Sequence, residues 1–251
     1  MDWAVVVTAG FLGGMLNAVA GGGSFITLPA LIFVGVPPIA ANATGTAALL
    51  PGYLASAWRF RRDVEFPANI GVAGVMGAAI AGGCVGAFAL LLTNDQLFSG
   101  LIPWLILFAT LAFVFGPRLM TLGGEPISET SRMNQLKAVL ILFSVCLYGG
   151  YFNGGMGIIL LAAFGFLGQS NLHGMNGLKN VVSAVLTAVA VVVYGVGAVI
   201  DYQYLLVLAV AAVAGGYAGA SVAYRISQKN LRYFIVLIGL LMSVVFFVRI
   251  L

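Results

Sequence analysis

Apolar residues run along nearly the whole chain, and polar ones enter only as brief punctuation between the runs. The runs lie at 3–20, 24–36, 39–58, 68–93 and 96–116, and again at 134–153, 156–169, 171–199, 203–224 and 231–251. Crossing the ~30 Å hydrocarbon core of a bilayer takes about 20 apolar residues at 1.5 Å each, so runs of this kind predict transmembrane helices rather than the one-sided helices of a soluble core. The second run of each set is too short for that. About 13 residues reach only some 20 Å, which predicts half-helices or the arms of re-entrant hairpins.

Two sets of five runs point to one unit used twice. Gly13-Gly14-Met15-Leu16-Asn17 is echoed by Gly149-Gly150-Tyr151-Phe152-Asn153, and Val64-Glu65-Phe66 by Ile200-Asp201-Tyr202, both at an offset of about 136 residues. Ala81-Gly82-Gly83-Cys84-Val85-Gly86-Ala87 returns as Ala214-Gly215-Gly216-Tyr217-Ala218-Gly219-Ala220, shifted by about 133. Cytoplasmic loops collect Lys and Arg, so charge orients the units. The loop after the third run of the first unit holds Arg59, Arg61 and Arg62, and the loop after its fourth, Thr93-Asn94-Asp95-Gln96, holds no base. In the second unit the corresponding loops are reversed: Asp201 alone in one, then Arg225, Lys229 and Arg232 in the other. Arg118, Arg132 and Lys137 place the connector on the basic side, and Arg249 is the one base against the pattern.

The expected fold is therefore an all-α integral membrane protein of two inverted-topology repeats, each of about five helical segments, with short broken helices meeting at a central site. The expected boundaries are 1–116 for the first repeat, 117–133 for a cytoplasmic connector and 134–251 for the second, all within one transport domain. The N- and C-termini are expected on opposite faces of the cell membrane. Charge leaves open five crossings per repeat or three plus a re-entrant hairpin.

Composition agrees with the pattern and narrows the partners. Of 251 residues 62% are hydrophobic and 7% charged, with a mean hydropathy of +1.11, against about a quarter charged in soluble domains. The net charge of +4 is spread over the ends of apolar runs as topology signals, which argues against a nucleic-acid partner and for the lipid bilayer. Met1-Asp2-Trp3 lacks the positive start of a signal peptide, so the first run is expected to be retained. Cys84 and Cys146 lie inside apolar runs as small hydrophobes.

Candidate chemistry sits where the runs break. Asn17-Ala18-Val19-Ala20-Gly21-Gly22-Gly23-Ser24, followed by Pro29, interrupts a helix at membrane depth, and Asn153-Gly154-Gly155-Met156-Gly157 does so in the second unit. Unpaired backbone in lipid costs several kcal/mol per group, so such breaks line shielded cavities. A half-helix starting there offers free N–H groups and the positive end of its dipole, which suits an anion, with Ser24 placed to cap or donate. A second pair of stretches opens the third run of each unit: Asn42-Ala43-Thr44-Gly45-Thr46 and Asn176-Gly177-Leu178-Lys179-Asn180. Lys179 is the charge set deepest inside a long apolar run; it either meets the transported anion or snorkels to the cytoplasmic interface. The substrate-binding set is thus Asn17, Gly21, Gly22, Gly23, Ser24, Asn42, Thr44, Thr46, Asn153, Gly154, Gly155, Asn176, Lys179 and Asn180. Gly82-x3-Gly86 and Gly215-x3-Gly219 read as helix-packing motifs, and His173 as a cap or interface residue. Neither a zinc-protease motif, nor a P-loop, nor a nucleophile beside a base is present, so no enzyme, metal or cofactor is expected.

The run from Asn17 to Ser24, Pro29 and the turn Ala41-Asn42-Ala43-Thr44-Gly45-Thr46 resemble the sulfite exporter TauE/SafE family, also called the toluene-sulfonate uptake permease family, and the likeness covers essentially the whole chain. The resemblance implies transport of small sulfur-containing anions, sulfite or organosulfonates, by inverted repeats around a central site. Against that pattern, the second glycine break is looser and Lys179 stands where a neutral Thr-type turn is expected. The expected function is a secondary transporter, an exporter of such anions by alternating access, with a passive anion channel or a membrane scaffold or sensor subunit as the alternatives.

Overall fold

A computed structural model describes residues 2–67, 70–122, 132–169, 171–223 and 228–250. Within them the chain is all-helical, in the order α1 (Asp2–Ala20), α2 (Ser24–Phe33), α3 (Pro38–Arg59), α4 (Gly71–Leu91), α5 (Asp95–Leu122), α6 (Arg132–Tyr151), α7 (Met156–Phe166), α8 (Leu172–Val196), α9 (Tyr202–Ala223) and α10 (Gln228–Ile250). Stretches of α4, α5, α6, α8 and α9 are long and apolar enough to cross a membrane. α3 has the length, but Asn42, Thr44 and Thr46 dilute its hydropathy. α5 continues to Leu122, six residues into the span expected as connector, and residues 123–131 of that connector lie outside the described residues, as do Arg225 and the side chains of Arg118, Arg132, His173, Lys229, Arg232 and Arg249.

The bundle is apolar on its outside. Trp104, Phe108, Leu111 and Phe115 on α5, Leu206, Val210, Val213 and Tyr217 on α9, and Leu237, Leu241, Val244 and Val248 on α10 form exposed stripes at helical spacing. Only a lipid solvent makes such surfaces stable.

The short helices have the same ending in both halves. α2 closes on Gly35 (φ 93°), where the Val36 amide donates to Leu31 O, and α7 closes on Gly168 (φ 89°), where the Gln169 amide donates to Phe164 O. Each is the glycine-terminated turn that satisfies the last carbonyls of a helix. α2 also runs back along α1: a Cβ on Gly23 would lie 2.9 Å from Asn17 Cβ, and one on Gly13 would lie 2.7 Å from Thr27. In the second half, the Tyr148 hydroxyl on α6 donates to Gly154 O at 2.7 Å and a Cβ on Gly149 would meet Met156, the first residue of α7. Each short helix therefore folds back along the helix before it, leaving four longer helices in each half.

Packing partners recur with the halves exchanged. α1 packs on α9 and α4 on α6; α3 packs on α9 and α8 on α4. The glycine motifs make the closest of these approaches, Gly82 and Gly86 meeting the backbone of α6 at Phe143 and Leu147, and Gly215 and Gly219 meeting that of α1 at Phe11 and Met15. α3 and α8 lie against each other and run antiparallel, because the Thr44 hydroxyl accepts from the Asp201 amide beyond the end of α8 (2.9 Å), while Gly177 near the start of α8 faces Phe60 O and Val64 beyond the end of α3.

The expectation that the termini lie on opposite faces is corrected by the packing. Trp3 stacks on Tyr204 at the start of α9 (5.1 Å), Phe247 meets Trp104 early in α5 (5.0 Å), and the residues opening α5 and α9, Asp95 and Tyr202, border one cavity. Both termini thus sit at the same end of the bundle. The reason is that α10 runs back along α5, Ser243 donating to Pro103 O, so the end of α10 returns to the level at which α5 opens.

Candidate functional site

The two helix breaks meet. Gly21 holds φ 76° and is so close to the second break that a Cβ on it would lie 2.9 Å from Gly157 Cα. Gly155, at φ 70°, faces Phe25 of α2 and Ala109 of α5. Asn153 also takes a left-handed φ, 60°, a conformation that Asn tolerates better than most side chains. Both positions at the junction must therefore be glycine, for backbone conformation and for space together.

Each break leaves donors free. The first turn of α2 is closed by Phe25 N to Gly22 O and Ile26 N to Gly23 O, and that of α7 by Met156 N to Asn153 O and Ile158 N to Gly155 O. The amides of Gly22, Gly23, Gly154, Gly155 and Gly157 donate to no carbonyl among the described residues. No side chain caps either helix, so the capping expected of Ser24 is not made; its hydroxyl is buried without a partner. Asn17 Oδ1, Thr46 Oγ1 and both amide atoms of Asn153 are likewise buried and unpaired. Buried polar groups are normally satisfied, so a concentration of unsatisfied ones around two helix starts marks a place built for a polar guest.

The remaining expected residues divide. Asn42 is held by its Nδ2 donating to Tyr151 O at 3.0 Å, with Oδ1 left free, which ties α3 to the residue just before the second break. Thr44 is engaged elsewhere, accepting the Asp201 amide toward one end of the bundle. Asn176 is half-buried near the opposite end, while Lys179 and Asn180 are buried, at 4% and 7% exposure. Lys179 has no ion pair or hydrogen bond among the described residues, and it is the one charged residue in their buried set. Leu49, which faces Gly23, packs in one cluster with Tyr53 of α3 and Ala184 of α8.

Four buried, unpaired hydroxyls escaped the sequence reading: Thr27, Tyr53, Ser183 and Thr187. Tyr53 lies beside Asn17. A signal for three of them exists. Asn42, Thr46, Leu49 and Tyr53 follow a 4-3-4 spacing on α3, and Asn176, Asn180, Ser183 and Thr187 repeat it on α8, which is one face of a helix. With α3 and α8 packed together and antiparallel, the two stripes run in opposite directions along neighbouring helices.

The two ends of the bundle differ in charge. At one, a cavity of about 570 Å³ is bordered by Pro37, Thr93, Asp95 and Asp201, with Asp95 Oδ1 accepting the Ile39 amide at the start of α3 (2.9 Å). At the other, Arg59, Arg61 and Arg62 are followed by Glu65, whose Oε1 accepts from Asn171 (2.8 Å) beside the start of α8. Glu65 and Asp201 are the acidic residues of the echoed tripeptides, and each reaches the opening of the other half's third helix.

Comparison with known proteins agrees with this architecture. The chain is similar to a probable membrane transporter protein of Haemophilus influenzae, 24% identical over 247 residues that cover 96% of this chain and 92% of the relative. It is also similar to the probable membrane transporter protein YfcA of Escherichia coli K12, 26% identical over 95% of this chain and 87% of the relative, and to the probable membrane transporter protein ORF9 of a Sinorhizobium species, 27% identical over 65% and 63%. Together with the lipid-facing helices, these make the protein a multi-pass membrane transporter. The family model for the sulfite exporter TauE/SafE matches residues 6–246, nearly the whole chain, and the protein belongs to that family.

Proposed function

We propose that the protein is a secondary transporter of small sulfur-containing oxyanions, sulfite or an organosulfonate, working by alternating access between two inverted halves in the cell membrane, with its arginine-rich end toward the cytoplasm. One observation carries the reading: the abutting breaks at Gly21 and Gly157, where two half-helix starts offer free amides amid buried, unpaired Asn17, Ser24 and Asn153. Such ends carry partial positive charge and unsatisfied donors, which favours an oxyanion. The antiparallel α3 and α8 and the exchanged packing of α1 on α9 and α4 on α6 support the inverted arrangement, which places a shared site where the halves meet. The family name points to sulfite as the first anion to try.

The test is uptake and counterflow in proteoliposomes with sulfite, methanesulfonate, toluenesulfonate and acetate under an imposed potential. Sulfur anions are expected to enter and to be accelerated by the same anion on the other side. Entry without exchange acceleration identifies a channel, and failure of every anion to bind or move removes the transport reading of the site.

A further inference from the structure

We infer that Tyr148 is a positioning residue of the central site: its hydroxyl locks the Gly154–Gly155 peptide in the orientation that keeps the Gly155 amide free to donate to the anion. The inference rests on the transport reading and names the side chain that sets a donor of the second break. Tyr148 lies in the last turn of α6, and its hydroxyl donates to Gly154 O at 2.7 Å. Leu105 O of α5 stands 3.3 Å from the same hydroxyl, so the Gly154 carbonyl points at a group lodged beside α5. In a trans peptide the carbonyl and the amide point in opposite directions. Fixing Gly154 O therefore fixes the Gly155 N–H as well, turned away from Tyr148. That amide donates to no carbonyl among the described residues, and the neighbouring Asn153 buries both of its side-chain amide atoms unpaired.

This peptide needs a lock more than its neighbours do. Both of its residues are glycine, and without a Cβ such a peptide turns over at little steric cost, exchanging the places of carbonyl and amide. Turned over, it would set an oxygen where the donor stood, and an anion would lose a charge-assisted hydrogen bond and meet a carbonyl instead. The peptides on either side are oriented by backbone bonds, Met156 N to Asn153 O and Ile158 N to Gly155 O, whereas the one between Gly154 and Gly155 is held by the Tyr148 hydroxyl. The first unit does without this bond. Its matching position, just before the Gly13-Gly14 pair, is Leu12, exposed on the outside of the bundle. The packing that the two units share therefore does not call for a hydroxyl there, and the second break has it in addition.

The experiment measures concentration-dependent uptake of sulfite and methanesulfonate by the intact protein in proteoliposomes, wild type against Tyr148→Phe. That variant removes the hydroxyl and keeps the ring against Phe108 and Phe152, at 5.6 and 6.0 Å between centroids. Ser243→Ala is the control, since it also deletes a hydroxyl bond to a backbone carbonyl, Pro103 O, in the contact of α10 with α5. A loss of stability alone would look alike in the two. Tyr148→Phe is expected to raise the half-saturating concentration of both anions about tenfold while the maximal rate holds, the weight of one hydrogen bond to a charged group; Ser243→Ala is expected to leave that concentration unchanged. Wild-type half-saturation in a folded Tyr148→Phe, or an equal rise in the control, overturns the positioning role and leaves sulfur-anion transport standing. Whether or not the variant folds, the wild type with isotope-labelled glycine supplies a second measurement. Its Gly155 amide resonance is expected to move downfield as sulfite is added, over the concentrations that saturate uptake. A Gly155 resonance that stays in place while sulfite is taken up overturns the inference as well. Wild-type protein that neither binds nor moves either anion removes the transport reading and this inference with it.

Discussion

Lys179 is the residue on which the chemistry and the energetics pull in opposite directions. A buried ammonium without an ion pair costs stability, on insertion scales about 2.5–3.5 kcal/mol at the centre of a membrane helix, so a neutral side chain of similar length is expected to be tolerated or to stabilise. Lys179→Met should therefore abolish uptake of sulfur oxyanions while the melting temperature in detergent holds or rises. Undiminished uptake by that variant would remove Lys179 from the site. Other residues at this scale were legible as chemistry but not as role. Thr44 and Thr46 are neighbours in one polar stretch, yet Thr44 latches Asp201 and Thr46 is left free. Nothing local distinguishes them; a two-residue step on a helix turns a side chain by about 200°, and what lies on each side is decided by other helices.

At the scale of elements, glycine spacing decides how closely helices approach. A Cβ on Gly86 would drive into the Leu147 carbonyl and the Tyr151 amide of α6, whereas Gly77, about two and a half turns earlier on α4, faces nothing within 4 Å. Gly86→Leu is expected to destabilise the bundle by about 1–3 kcal/mol, and Gly77→Leu to leave it unchanged, in thermal unfolding monitored in the same detergent. Equal effects of the two substitutions would mean that the α4–α6 approach is not what Gly86 provides. The ends of the elements were the most legible part of the chain. Pro38 opens α3, and Gly35 and Gly168 end the short helices, because these residue types set backbone geometry without help from distant partners. The 4-3-4 stripes on α3 and α8 were equally present in the sequence, but their meaning depends on the two helices facing each other.

For the whole molecule the governing feature is the exchange of the halves. Glu65 from the first reaches the start of α8, and the Asp201 amide from the second reaches Thr44 of α3, so the echoed tripeptides serve as reciprocal contacts at the two ends of the bundle. The same exchange places both termini together. Tags on the N- and C-termini in sealed, oriented vesicles should be reachable by protease from one and the same side. Access from opposite sides would require an odd number of crossings and would rule out the packing of Trp3 and Phe247 at one end.

What the sequence determined by itself is whatever depends on local backbone chemistry and on the solvent around the chain. The apolar runs set the number and near-limits of the helices, because in a bilayer every backbone group must bond within its own helix. The glycine clusters located both breaks, since three glycines at membrane depth are poor helix and good turn. The tertiary structure decided the rest: that each short helix folds back along the helix before it, that Gly21 meets Gly157, that Lys179 is buried in the bundle, and that the hydroxyls of Tyr53, Ser183 and Thr187 are buried with it. These facts join residues from separate halves, and the packing of one helix surface against another is a property of neither sequence segment alone.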